Sequence, residues 1–199
     1  MDSFMPYCKN NNFIFNFFLL FVSTCLLVTS YAYADDQSNI FIQRAEIAKS
    51  QEIYYLYPQA ELKLSDEVKQ TLDKGFKLNF ILEFQLSLPR KYWFSDEIVT
   101  VTQPITLFYH PLSRRYLLTQ GRYEKSLANL KEVAAEFLQL RPIKVFSENQ
   151  IELDQAYEAA LLIRLDYRKL PSAIKVNQEE SSAWQLTSQR FEWKPDLIK

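Results

Sequence analysis

Between Lys77 and Leu88 the chain alternates apolar and polar residues almost without fault. Leu78, Phe80, Leu82, Phe84, Leu86 and Leu88 fall on one face, and the other face is polar except for Ile81. A period of two belongs to a strand with one buried side; wound as a helix, these residues would scatter all round it. Strands that are polar on one face favour antiparallel pairing, because parallel sheets are covered on both sides.

Other segments repeat the pattern. In Ala156–Arg168, Tyr157, Ala159, Leu161, Ile163, Leu165 and Tyr167 point one way, while Glu158, Arg164, Asp166 and Arg168 point the other. Ile98–Tyr109 is rich in Val, Ile and Thr, but Pro104 within it cannot donate to a ladder, which predicts an edge or bulged strand. Weaker strands are expected at Ile40–Ile47, Ile53–Leu62, Arg115–Thr119, Lys144–Phe146 and Trp184–Trp193. Tyr54, Tyr55 and Tyr57 cannot all face inward, and Tyr55 and Tyr57 are expected opposite Tyr54.

Two helices interrupt the strands. Ser65–Gly75 has a Ser N-cap, Asp66 and Glu67 in the first turn, and Gly75 at the stop. Ser126–Leu140 carries Leu127, Leu130, Ala134 and Phe137 on one stripe and ends before Pro142. The expected fold is mainly β: an antiparallel β-sandwich with two short helical insertions, forming a single domain over residues 35–199. Past the leader the only glycines are Gly75 and Gly121, so turns fall to Pro, Asn, Asp and Ser, and Pro195–Lys199 is expected to fray.

Residues 1–34 read as an address. Lys9 is followed by an apolar run from Phe13 to Val28, then by Ala32-Tyr33-Ala34 and Asp35-Asp36. This is the order of a secretory signal peptide cleaved after Ala34; the alternative is an N-terminal anchor, although the run is shorter than the roughly 20 residues that span a bilayer. Cys25 follows Thr24 rather than a small residue, which argues against a lipoprotein. Both cysteines (Cys8, Cys25) and both methionines (Met1, Met5) lie in this leader. A mature domain would thus hold no disulfide, thiolate metal site or thiol nucleophile, which suits an oxidising periplasm.

The chain has 23 Lys+Arg against 24 Asp+Glu, a formal net charge of -1. It lacks the broad positive field that nonspecific nucleic-acid binding needs. His110, the sole histidine, stands before Pro111 in a turn without a second His or Cys to share a metal. Neither a Gly-x-Ser-x-Gly elbow nor a Gly-rich phosphate loop occurs. No catalytic residue, cofactor or metal is expected. The one catalytic alternative is a pair of carboxylates, Glu83 and Asp166, working on a glycan, which requires them about 5–9.5 Å apart across one cleft.

The distinctive local feature is aromatic residues mixed with cations. Arg90, Lys91, Tyr92, Trp93 and Phe94 follow the long strand; Arg114 and Arg115 sit in Leu107–Tyr116; a third cluster is Arg164–Pro171. Together with the Pro104 strand edge, these give the candidate interaction residues Arg90, Lys91, Tyr92, Trp93, Phe94, Pro104, Arg114 and Arg115.

Taken in order, five pieces resemble an exported proteobacterial family catalogued as a domain of unknown function, DUF4390. They are Leu72-x-x-Gly75 leading into the long strand; Tyr92-Trp93-Phe94; Leu107-x-Tyr109-x-x-Leu112-x-Arg114-x-Tyr116; Arg164-Leu165-Asp166 with Leu170-Pro171; and Trp184-x-Leu186-x-Ser188. The chain departs from the family at Ser172, where a second proline is more usual. The resemblance implies a periplasmic envelope protein without transferable catalytic residues. Its genes often neighbour a membrane histidine kinase of the nitrogen-regulation type, which implies an accessory role in signalling. The resulting expectation is a non-catalytic binding or adaptor domain with a membrane or periplasmic protein partner, no nucleic acid, and membrane contact only through an uncleaved leader. The alternative is a module for envelope glycan or lipid fragments, which predicts a groove lined by aromatics and a few cations.

Overall fold

The computed structural model describes residues 37–90, 95–152, 154–172, 174 and 182–197. In chain order the elements are β1 (Asn39–Ser50), β2 (Ile53–Lys63), α1 (Asp66–Asp73), β3 (Leu78–Leu88), β4 (Asp96–His110), β5 (Arg115–Gln120), β6 (Tyr123–Leu127), α2 (Leu130–Phe137), β7 (Ile143–Ser147), β8 (Glu158–Leu165) and β9 (Phe191–Trp193). The strands form two antiparallel sheets. One has the order β1-β2-β7 and the other β6-β5-β4-β3-β8-β9. This is the expected sandwich with two short helices.

β3 organises the large sheet. It pairs with β4 along one side and β8 along the other, and its residues 78, 80, 82, 84 and 86 are fully buried. Phe84 stacks on Phe146 of β7 at 6.4 Å between ring centres, and Phe146 stacks on Tyr54 of β2 at 4.7 Å. These rings join the two layers. Phe80 meets Phe137 of α2 edge-on at 5.6 Å, so this helix also packs against the buried face of β3. Among the described residues every strand and the core lie within residues 39–197, and residues 36–199 form one compact unit.

Local chemistry sets the helix ends. Ser65 accepts a hydrogen bond from the Val68 N–H at 3.3 Å, satisfying one of the free amides of α1. At the other end Gly75 adopts φ +86, with the Gly75 N–H on the Leu72 carbonyl and the Phe76 N–H on that of Thr71. That pairing is a Schellman stop, which needs a left-handed residue. Tyr54 is buried while Tyr57 is 42% exposed, as the alternation requires.

Four local expectations change. The apolar stripe predicts a second helix from Ser126, but Tyr123–Leu127 pairs with β5 as a strand. Asn129 then caps a shorter helix by accepting from the Glu132 N–H. The strand expected over Trp184–Trp193 is a 3-10 turn at Ser182–Trp184, a bridge from Thr187 to Arg164, and only then β9. Buried Trp184 is held there by its indole N–H on Glu67 at 2.7 Å. β8 ends at Leu165, where Asp166 caps a 3-10 turn. The C-terminal tail does not fray over its described part: Leu197 is buried, and its carbonyl accepts the Tyr54 hydroxyl at 2.9 Å.

Candidate interaction surfaces

The Pro104 strand is an edge over only part of its length. β4 pairs with β3 from Asp96 to Leu107, but β5 joins its other side only from Ile105 to His110. Residues 96–104 therefore have a strand on one side alone among the described residues. The β5 ladder begins at the residue after Pro104, as a missing N–H requires. A bulge between Leu86 and Ser87 leaves Ile98 outside the β3 register. Glu97, Thr100, Thr102 and Pro104 are exposed, while Ile98, Val99 and Val101 pack partly against the core.

Arg90 pairs with Asp96 and so closes the connection leading into this free edge. Lys91, Tyr92, Trp93 and Phe94, also singled out from sequence, lie outside the described residues. Arg114 and Arg115 belong to a different surface. They follow His110 at the far end of β4, about 45 Å from Asp96 at the rise of an extended strand. The candidate residues thus divide between the two ends of one strand.

A second feature has no signature in the sequence. β1 and β9 are the outer strands of their sheets, and between them opens a cleft of about 670 Å³. Buried Ala45 and half-buried Ile47 and Trp193 line it, together with exposed Arg44, Tyr57 and Lys194. Arg44 pairs with Glu46, and Lys49 with Glu148 at 2.6 Å, so most of its charges are already matched. Pro195 and Asp196 of the tail complete its wall. These residues are about 150 positions apart in sequence and no local pattern links them.

A family model described as a domain of unknown function, DUF4390, matches residues 37–194. The chain belongs to this family. No curated protein and no solved structure matches it.

The match runs from two residues before β1 to the residue after β9, so it takes in every described strand of this DUF4390 domain. It also includes the two acids considered for catalysis, and each is held by cations. Glu83 accepts from Arg164 at 2.5 Å on the outer face of the large sheet, and that hydrogen bond raises the guanidinium further above its ordinary value. Asp166 is 4% exposed; it accepts from the Arg168 N–H and Nε and lies 3.9 Å from Lys169 Nζ. Neither acid lines the β1–β9 cleft. His110 Nδ1 accepts the Ser113 N–H inside the β4–β5 turn of the DUF4390 domain. Among the described residues no group of three or more His, Cys, Asp or Glu is placed to hold a metal ion.

Proposed function

We propose that this DUF4390 domain is an exported, non-catalytic binding domain of the cell envelope that receives an extended segment of a protein partner along the free edge of β4. The supporting observation is the half-paired strand itself. Between Asp96-Glu97 and Pro104 stands Ile98-Val99-Thr100-Val101-Thr102-Gln103, a run rich in strand formers that among the described residues has only β3 beside it. A free edge offers main-chain donors and acceptors in a row, and a partner strand gains affinity from that ladder. Charges and proline at the two ends guard the edge against indiscriminate pairing. The engagement of Glu83 and Asp166 by cations fits a binding role better than an acid–base one. A membrane sensor kinase is the first partner to test, as the family resemblance implies.

Photo-crosslinking residues placed at Thr100 and Thr102 of the full chain in its native envelope test this reading. One protein captured at both positions, and not from Gln59 on the outer face of the small sheet, is the expected result. Equal capture from all three positions, or none, removes it.

The β1–β9 cleft favours a second reading, a module for envelope glycan fragments, because Tyr57 and Trp193 offer ring faces beside cations. Titration with soluble peptidoglycan fragments would then give binding that Tyr57→Ala abolishes.

A further inference from the structure

We infer that the β4–β5 turn is a docking tip for the anionic surface of a lipid bilayer. Leu112 at its apex is 93% exposed, far beyond Phe41 at 55% and Tyr57 at 42%. An apolar side chain held that far into water can enter a membrane interface when cations stand beside it. The turn is held in shape. The Arg114 N–H donates to the His110 carbonyl at 2.8 Å, and the Ser113 N–H donates to His110 Nδ1. Arg114 sits at φ +53, a left-handed conformation that glycine or asparagine adopts at less cost. Arg114 thus sets a charged side chain, two residues from an exposed leucine, where glycine would cost less.

The surroundings are basic. A Cβ built on Gly75 would lie 3.7 Å from the Pro111 ring, so Lys74 and Lys77 of the α1–β3 connection flank the turn. Lys77 Nζ stands over the Phe108 ring at 5.3 Å, and Arg115 is braced by Ser126. Asp73 of this connection accepts the Tyr116 hydroxyl at 2.9 Å. Lys74, Lys77, Arg114 and Arg115 thus lie, against that one acid, on the turn and on the connection packed beside it, a charge balance that anionic headgroups attract while an apolar tip enters the interface.

The surface is separate from the free β4 edge, so either proposal can fail alone.

The test uses the compact unit, residues 36–199, sedimented with vesicles rich in phosphatidylglycerol or made of phosphatidylcholine alone. Binding to the first and not the second, weakened by salt, is expected. Leu112→Asp should lower affinity at least tenfold without changing Tm, since the side chain touches almost nothing. Arg114→Gly should lower it about fivefold while leaving Tm unchanged or higher, because glycine relieves the left-handed strain. Equal binding to both vesicles, no binding to either, binding indifferent to Leu112→Asp, or soluble glycerophosphoglycerol competing as well as vesicles would each overturn the proposal.

Discussion

Phe84 joins its own strand to two other strands. Fully buried on β3, it stacks on Phe146 of the small sheet and lies 6.2 Å from the Trp193 ring on β9. Its removal would leave a cavity that neighbours from two layers cannot fill together, so Phe84→Ala is expected to cost about 3–5 kcal/mol, read from urea unfolding. His110→Ala should change stability by less than about 0.5 kcal/mol, because the ring only supports an exposed turn. Tyr116 gives a prediction with a pH signature. Burial, then its hydrogen bond to Asp73, pushes its hydroxyl up to about 12 from 10.0. The folded state keeps this proton after the unfolded chain has lost it. The resulting stability is complete below pH 10 and fades as pH rises towards 12, by about 1.4 kcal/mol for each pH step between those two values. Thermal melts across that range should fall more steeply for the native protein than for Tyr116→Phe. Part of the fall will remain in the variant, since burial raises the Tyr54 hydroxyl as well.

The elements differ in how well they can be read from sequence, and the reason is range. The β3 alternation and the caps of α1 are local and appear where the residues place them. Ser65→Ala removes the acceptor of the Val68 N–H and the partner of the Ser38 hydroxyl in a buried clip, and should cost about 1–2 kcal/mol, measured by chemical denaturation. Asn129→Ala at the exposed start of α2 should cost about 1 kcal/mol. Where the outcome depends on a distant partner, local reading fails in specific ways. Ser126 and Leu127 read as the opening of a helix until β5 pairs with them as the end of a strand. Pro104 correctly signals an edge, but which half of β4 is free depends on β5 being only six residues long. Of the candidate site, the free edge was legible through Pro104 and the basic turn through Arg114 and Arg115. That these lie at opposite ends of one strand follows from β4 running unbroken over 15 residues.

At the scale of the whole molecule, the closing contacts come from the last part of the chain. β9 gives the large sheet only three residues, yet Trp193 fills the inner face against Phe84. The tail then crosses to the small sheet, where Leu197 is buried and Tyr54 holds its carbonyl. This latch lies beyond the family match, which ends at residue 194, so it closes a sandwich whose strands are already complete. Ending the chain at Lys194 should therefore leave a folded protein. It should be less stable by about 2–4 kcal/mol, from the lost Leu197 burial and the unpartnered Tyr54 hydroxyl. Amide exchange would locate the effect. Protection should drop in β1 and the facing part of β2, which border the cleft that Pro195 and Asp196 wall, and should hold in β3, which is flanked on both sides. Loss of protection in β3 and β1 together would mean that the two sheets unfold as one unit and that the latch supports the entire core.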